Sequence, residues 1–424
     1  MKLKVVHLST SDINGGAAIA AFRIHNAQLK SGINSKLLVQ SKFSNNSNVI
    51  SLIQSPLDKL KYYVRKFGDK LMYKTLSICD WDAFTFPYFG LDVSGNEIIK
   101  EADIIVLHQT NGGFLSLSSL SKLAALNKPL IFTLHDMWSF TGGCHYSNDC
   151  EKFLEHCGNC PSLKSNKEND FSRKIHNRKN IVYNKLNLNI VTCSNWLNTE
   201  AKRSSLFHEK RIRTIHNPVD TEIFKPAYKI KSRTELNLPN DKILILTGAM
   251  NLNIERKGFK YLISALKIIS ENQGDIDREI NIVIFGTLEE KVLSEIPFQV
   301  HQLGKIDNEN RLVQCYNSAD IYVTSSLQDN LPNTVVESLS CGTPVVAFDT
   351  GGMPDMIEHL KNGYLAGLRY PEDFAKGIVS LLSDFELLDR MKINCRETAL
   401  TKFNEAGIAN QYSDFYKNIL TENE

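Results

Sequence analysis

Residues 325–346 read SSLQDNLPNTVVESLSCGTPVV, and this stretch carries in turn the signals of a strand end, a loop, a short helix and a second strand. Pro332 can occupy the first helical turn, where no backbone N–H is required, and Gly342 can end the helix in the left-handed conformation. Glu337 would then lie on a helix that begins at the carboxyl edge of a sheet, with Asp329 in the preceding loop. Since carboxylates accept hydrogen bonds from paired hydroxyls, the two residues predict a sugar or ribose site.

Short apolar runs, separated by segments with helical periodicity, lie on both sides of this stretch. The alternation is typical of βαβ units, and runs without polar interruption fit strands that are buried on both faces of a parallel sheet. We therefore predict an α/β fold. The predicted strands are residues 4–8, 103–107, 130–134, 190–193, 243–247, 282–285, 321–324 and 344–348.

The two series of strands are separated by Pro218 and by a polar segment, residues 225–241, which predicts a linker between two domains. A chain of 424 residues is also too long for one efficient hydrophobic core. We expect domains at 1–220 and 221–405, each a doubly wound Rossmann-like sheet, with the ligand cleft between their facing carboxyl edges. A final helical segment, 406–424, could pack back on the first domain.

The composition excludes some partners. Lys and Arg number 49 against 47 Asp and Glu, so the net charge of +2 gives no reason to expect nucleic-acid binding. The apolar run at residues 3–8 is too short for a signal sequence, and no run is long enough to cross a bilayer. We therefore expect a cytoplasmic protein whose nine cysteines stay reduced.

Two segments have the composition of phosphate-binding turns. Gly15 and Gly16 follow the first strand and open a helix, where backbone N–H groups can approach an anion closely. Arg256 and Lys257 precede Gly258 at a second strand-to-helix crossing, and paired cations there suit a diphosphate. The alternatives are an ordinary tight turn for the glycines and a solvated charge pair for the cations.

With its acidic residue, seven intervening residues and glutamate, followed by Gly-Thr-Pro-Val-Val, the opening stretch resembles the retaining GT-B glycosyltransferases of carbohydrate family four. The resemblance extends over nearly the whole chain and implies a role for each matched residue. Glu337 would hold ribose hydroxyls, while Asp329 and the backbone of Asn330 and Leu331 would meet the donor sugar. His135 would lie on the acceptor side near the transferring carbon. The diphosphate would be held by Lys257, Gly15 and Gly16, and the base-side wall would be formed by Leu303, Gly304 and Tyr316.

The resemblance implies transfer of a hexosyl group, with retention, from a UDP- or GDP-linked donor to a glycan or lipid-linked acceptor in cell-surface polysaccharide synthesis. It implies no cofactor for catalysis, because the departing phosphate can act as base. The chain departs from the family at Asp329, where glutamate is usual, and at Ala249, where arginine often follows the strand-ending glycine. Arg256 is our candidate for the missing cation. A nucleotide-sugar epimerase, a phosphorylase and a non-catalytic nucleotide-sugar binding protein remain alternatives.

Four cysteines cluster within 17 residues, Cys144, Cys150, Cys157 and Cys160, and the last two form a Cys-x-x-Cys pair. Such spacing suits a structural zinc site, with His145 as a substitute ligand. Free thiols or an adventitious disulfide are the alternatives.

Residues 57–74 have apolar side chains three and four positions apart, with six lysines and arginines between them. This pattern predicts a basic amphipathic helix, and such a helix can lie on an anionic membrane. In the alternative interpretation the apolar stripe packs on the first domain and the lysines are merely solvated. The protein could therefore be peripheral on the inner face of the cell membrane.

Overall fold

The computed structural model describes residues 2–78, 84–272, 276 and 278–422. It divides into two compact units, of which the first comprises residues 1–217 and 408–424 and the second residues 218–407. The sequence set the boundary after residue 220 and the start of the last segment at 406. Each unit is an α/β layer structure, as predicted.

The first unit is built on a parallel sheet of seven strands in the order β3-β2-β1-β4-β5-β6-β7. The reversal of strand order beside β1 makes it a doubly wound sheet. Its strands are β1 Lys4–Ser11, β2 Asn34–Ser41, β3 Val49–Ser51, β4 Ile104–Leu107, β5 Leu130–Leu134, β6 Leu188–Thr192 and β7 Ile212–Thr214. Its helices are α1 Gly16–Lys30, α2 Pro56–Leu76, α3 Glu97–Glu101, α4 Leu117–Leu123, α5 Phe171–Tyr183 and α6 Asn195–Arg203.

The second unit has a parallel sheet of six strands in the order β10-β9-β8-β11-β12-β13. Its strands are β8 Ile243–Asn251, β9 Ile280–Thr287, β10 Gln299–Gly304, β11 Ile321–Thr324, β12 Val345–Phe348 and β13 Gly363–Ala366. Its helices are α7 Lys229–Glu235, α8 Phe259–Glu271, α9 Glu290–Leu293, α10 Glu309–Ser318, α11 Asn333–Ser340, α12 Met353–Met356, α13 Pro371–Ser383 and α14 Phe385–Lys402.

The last helix, α15 Glu405–Thr421, packs on the sheet of the first unit. Its buried side chains, Ile408, Tyr412, Phe415, Tyr416 and Ile419, join a cluster that contains Val5, Ile104, Ile131 and Val191 of the strands. A hydrogen bond of 2.8 Å from Gln28 Nε2 on α1 to Tyr416 Oη fixes its position along the sheet. The carboxyl-terminal segment thus completes the hydrophobic core of the first unit.

Helix α2 confirms the predicted amphipathic helix, but its apolar stripe does not pack on the first unit. Leu57, Leu60, Val64, Phe67 and Leu71 are all more than half exposed. The helix is held by other contacts, such as the hydrogen bond of 3.0 Å from Arg65 Nε to the carbonyl of Gly113. Within the described residues, no helix combines the length and apolar composition needed to span a bilayer.

Candidate functional site

The loop between β11 and α11 is fixed in the second unit by the turn that precedes α8. Ser325 Oγ donates to the carbonyl of Lys257 at 3.0 Å, and the amide of Leu327 donates to the carbonyl of Arg256 at 2.8 Å. Gly258 has a φ of 61°, and a Cβ there would lie 2.1 Å from the carbonyl oxygen of Ser325. Only glycine permits this approach, so the sequence Arg-Lys-Gly brings its two cations against the loop.

Asp329 forms an ion-pair cluster with those two cations. Its Oδ2 atom lies 2.7 Å from Lys257 Nζ and 3.2 Å from Arg256 Nη1. Burial tends to raise the pKa of Asp329, but the two cations outweigh it and hold the pKa below its usual range. Burial lowers the pKa of Lys257 in spite of Asp329. Two positive groups therefore share a single carboxylate oxygen, a contact that the sequence analysis did not predict.

Glu337 lies on α11 and is buried together with its partner Tyr316. Tyr316 donates from its hydroxyl to Glu337 Oε2 at 2.9 Å and is itself held by Thr343 Oγ1, which donates to its carbonyl at 2.8 Å. The Tyr316 ring is fully buried among aromatic side chains, including Phe224 and Phe285. The sequence analysis set Tyr316 at a base-side wall; in the structure its ring has no exposed surface and its hydroxyl positions Glu337.

The remaining predicted donor residues occupy strand ends and helix starts in both units. Gly15 is the N-terminal cap of α1 with a φ of 105°, and Gly16 is the first residue of that helix. Leu303 is half-buried near the end of β10. Asn330 and Leu331 are buried beside Asp329, and the amide of Asn330 donates to Asp329 Oδ1 at 3.1 Å. The contacts of these residues with a donor stay predictions.

His135 follows β5 and ends a buried chain of hydrogen-bonded side chains. His135 Nε2 lies 3.0 Å from His108 Nδ1, His108 Nε2 lies 2.9 Å from His7 Nδ1, and His7 Nε2 lies 3.0 Å from Gln28 Oε1. Burial lowers the pKa of His7 and of His135 to about 4 and that of His108 well below its usual value. The three imidazoles are therefore neutral at physiological pH.

The chain fixes the tautomer of each ring, because every neutral imidazole has one donor and one acceptor. Gln28 donates its amide N–H to Tyr416 and offers its oxygen to His7, so His7 Nε2 must carry the proton. His7 Nδ1 then accepts from His108, and His108 Nδ1 accepts from His135. Nε2 of His135 is thus a donor, and Nδ1, which lies 3.6 Å from the buried Cys193 Sγ, is the acceptor nitrogen of the ring.

Next to this chain, Asp136 and His145 form a second pair. His145 Nδ1 lies 2.7 Å from Asp136 Oδ2, and Thr85 Oγ1 lies 3.1 Å from His145 Nε2. Burial tends to raise the pKa of Asp136, but His145 outweighs it and lowers the pKa. His145 was considered a substitute zinc ligand; in the structure both of its ring nitrogens have protein partners.

Asp69 on α2 is a charged residue that sequence reasoning missed. It is 1% exposed, and neither of its carboxylate oxygens has a hydrogen-bond partner among the described residues. Burial raises the pKa of Asp69 to about 6, and nearby His145 opposes the rise. An acidic residue amid the lysines of an amphipathic helix was the signal that could have singled it out.

The glycine pair Gly351-Gly352 was also missed. The Gly352 amide donates to the carbonyl of Asp329 at 3.0 Å and so fixes the loop from the side of α12. Two glycines just after a buried strand were the available signal, as they were at Gly15 and Gly16.

The four clustered cysteines lie elsewhere in the first unit, and all four line one small cavity. They are present as free thiols. Among the described residues, no three His, Cys, Asp or Glu side chains are arranged as a ready metal site.

Two family models match the chain. The model described as "Glycosyl transferases group 1" matches residues 229–398, and "Glycosyltransferase Family 4" matches residues 87–223. Together the matches span more than half of the chain and contain Arg256, Lys257, Asp329, His108 and His135.

Curated relatives are similar at low identity. An uncharacterized glycosyltransferase of Methanocaldococcus jannaschii is 26% identical over 273 residues, which cover 61% of this chain and 66% of the relative. A D-inositol 3-phosphate glycosyltransferase of Corynebacterium glutamicum is 27% identical over 244 residues, or 53% and 57% of the two chains. The chain thus spans less than two thirds of the length of these relatives.

Solved structures resemble the fold over nearly its full length. Sucrose-phosphate synthase from Thermosynechococcus elongatus superposes with a TM-score of 0.68 and 16% identity, covering 99% of this chain and 100% of the other. Anabaena HepE, solved in complex with UDP and glucose, has a TM-score of 0.64 and 16% identity, with 98% and 99% covered.

Proposed function

The chain belongs to the group 1, family 4 glycosyltransferases with the GT-B fold, and we propose that it transfers a hexosyl group from a nucleotide-diphosphate sugar with retention of configuration. The acceptor in this proposal is a glycan or lipid-linked saccharide of a cell-surface polysaccharide. The observation that carries the proposal is the Lys257–Arg256–Asp329 cluster. Two cations share one carboxylate oxygen, so the cluster keeps an excess positive charge for a diphosphate.

The roles proposed for the side chains follow from their contacts. Lys257 and Arg256 stabilise the charge that develops on the departing diphosphate, which is the main electrostatic demand of the reaction. Glu337, held by Tyr316, accepts the ribose hydroxyls. His135, held by His108 through Nε2, lies on the acceptor side near the transferring carbon. The departing phosphate acts as base, and no metal takes part, so we expect activity to persist in EDTA; loss restored by Mg²⁺ or Mn²⁺ would contradict this.

A uridine donor is supported by the HepE structures, which were solved with UDP and with UDP-glucose. A panel of UDP- and GDP-sugars screened by thermal shift tests this, because a ligand at 100 times its Kd adds about 2.7 kcal/mol of stability. Asp329→Glu should change the preferred sugar more than the affinity for the free nucleotide. If Asp329→Glu instead weakens binding of the free nucleotide, then Asp329 binds the ribose and Glu337 the sugar, the reverse of the proposed roles.

The decisive experiment compares three variants in a transfer assay with product analysis. Lys257→Ala should lower kcat/KM by roughly 100-fold or more, as removal of one transition-state donor does. Arg256→Ala should weaken donor binding, whereas Lys260→Ala removes a mostly exposed lysine of the same segment and is the control. Unchanged donor affinity in Arg256→Ala would remove that residue from the site. An epimerised donor, or binding without turnover, would contradict the transferase assignment.

The exposed stripe of α2 supports a place on the inner face of the cell membrane, as a lipid-linked acceptor requires. Five exposed apolar side chains are flanked by the exposed lysines Lys59, Lys61, Lys66, Lys70 and Lys74. Each basic residue near an anionic surface contributes about 1 kcal/mol. The protein should float with vesicles that contain anionic lipid and not with neutral vesicles. Leu60→Asp with Phe67→Asp should abolish flotation, and Tyr228→Asp, at an exposed apolar position in the second unit, should not.

A further inference from the structure

The segment between β5 and α5 is ordered although it has little regular structure. Between Thr141 and Asp170 its only helical element is a single 3-10 turn, Lys152–Leu154. Phe153 and Leu163 of this segment are nonetheless buried. Long connections without secondary structure are uncommon in compact domains. Contacts other than the backbone hydrogen bonds of helices and strands must therefore order the segment between β5 and α5.

The four cysteines of this segment face a common cavity. Cys144, Cys150, Cys157 and Cys160 line it together with Phe84 and Gly142, and its volume is about 20 Å³. A cavity of this size holds one water-sized occupant, but a water molecule needs several polar partners to be stable in it. Thiols are weak hydrogen-bonding groups and good ligands for a soft or borderline cation.

The Cys-Gly-Asn-Cys turn is bent so that both of its thiols reach the cavity. Cys157, Gly158 and Asn159 all have positive φ, of 52°, 114° and 42°. A Cβ at position 158 would lie 2.3 Å from the carbonyl oxygen of Glu168, so glycine is required. Burial raises the pKa of Cys157 to about 12 and that of Cys160 to about 11, and hydrogen bonds from the backbone of Gly142 and Ser162 to the sulfurs oppose the rise. Donors aimed at sulfur favour the thiolate form that binds metals.

A buried lysine lies beside the cluster. Lys179 on α5 is fully buried, donates to the carbonyl of Thr141 at 3.0 Å and also donates to that of Trp138. It is near enough to Cys144 and Cys157 to interact with their charge. Four thiolates around one divalent ion carry a net charge of −2, and a buried ammonium offsets part of that charge.

We propose that Cys144, Cys150, Cys157 and Cys160 bind one structural zinc ion, which orders this segment and thereby presents His145 to Asp136. Each thiol gives up its proton to solvent as its sulfur binds, so capture of one Zn²⁺ releases four protons. The thiols turn into the cavity to complete a tetrahedral site, since no three of them are in ligating positions beforehand. Cys144 directly precedes His145, which couples the zinc site to the Asp136 pair.

The first test is metal analysis of the full chain purified without chelator. We expect about one zinc ion per chain. Cys150→Ser and Cys160→Ser should each lose most of the metal, whereas Cys315→Ser, at a buried thiol of the second unit, should keep it. Metal-free protein, or equal zinc in all three variants, would overturn the proposal. So would a Cys157–Cys160 disulfide found by mass spectrometry of protein kept under reducing conditions.

A second measurement does not depend on whether the variants fold. Wild-type protein stripped of metal and titrated with Co²⁺ should develop the sulfur-to-cobalt charge-transfer band and the intense d–d bands of tetrahedral thiolate coordination. Zn²⁺ should abolish both at a stoichiometry of about one per chain. Weak octahedral bands alone would contradict a four-cysteine site. Neither readout requires glycosyl transfer, so the zinc site and the proposed function can fail separately.

Discussion

Asp329 affects both the stability of the second unit and its binding of the proposed diphosphate ligand. Its carboxylate is the counter-charge for Lys257 and Arg256, and removal of one partner from such a cluster leaves buried charge uncompensated. Its pKa is lowered on folding, so its contribution is present above the pKa of the unfolded chain and is lost as the pH falls through the folded value.

We expect Asp329→Asn to lower the free energy of unfolding at pH 7 by about 2–4 kcal/mol. A bound diphosphate supplies the missing negative charge, so UDP should stabilise this variant more than the wild type. Urea unfolding at pH 7, with and without UDP, measures both effects. A variant that is as stable as the wild type without ligand would show that the cluster is solvated rather than buried.

Unlike Asp329, Asp69 lowers the stability of the native state, because its carboxylate is buried without a hydrogen-bond partner among the described residues. Its pKa is raised from 3.8 to about 6, so the charged form destabilises the native state and stability falls as the pH rises through this range. Asp69→Asn should therefore be more stable than the wild type at pH 8, by up to about 3 kcal/mol, and nearly equal at pH 4. Parallel unfolding curves at the two pH values would exclude this. A loss of transfer activity in the stabilised variant would mark Asp69 as functional.

At the scale of elements, the histidine chain connects five of them: β1, β4, β5, α1 and α15. His108→Phe keeps a ring in place but removes the acceptor for His135 Nε2, so the tautomer of His135 is no longer fixed. Long-range ¹H–¹⁵N correlation should show a change at His135, and kcat/KM should fall roughly ten- to a hundred-fold. His208→Phe, at an exposed ring, is the control. If the tautomer of His135 is unchanged in His108→Phe, the histidine chain does not fix that tautomer.

The elements that the sequence predicted are those with uninterrupted apolar runs. All eight predicted strands, such as β5 and β8, are present because central strands of a parallel sheet are buried on both faces. Strands β3, β7, β10 and β13 were missed because each lies at a sheet edge, and β2 because its apolar run, Leu37 to Val39, is short and flanked by polar residues. Edge strands carry weaker hydrophobic signals than central ones.

The candidate site likewise has contacts that could be predicted from the sequence and contacts that could not. The contact of Lys257 with Asp329 was predictable, since both follow strands that end at the same sheet edge. The burial of Tyr316 and the partners of His135 were not, because they depend on side chains 21 and 27 positions away meeting across different elements. Motif spacing describes one element at a time, whereas these hydrogen bonds belong to the packed unit.

At the scale of the whole molecule, the first unit depends on residues from both ends of the chain. Deleting the chain after Gly407 removes five large buried side chains of α15, and each large buried apolar side chain contributes about 1.5–3 kcal/mol. The total is comparable to the roughly 5–15 kcal/mol stability of a whole domain. We expect this truncated chain to aggregate, while Lys417→Ala, on the exposed face of α15, should remain soluble. A soluble, cooperatively unfolding truncated chain would contradict this.

The contact between Gln28 and Tyr416 also sets an order of events during synthesis. On the ribosome, β1 and α1 emerge early, yet the residues that cover their sheet are translated only after the whole second unit. Until then the face that contains Val5, Ile104 and Val191 is covered only in part, by side chains such as Ile24 of α1. A nascent chain of this protein therefore has to keep an apolar sheet face in solution while 190 residues of another unit are being made, which makes it a natural client for a ribosome-associated chaperone.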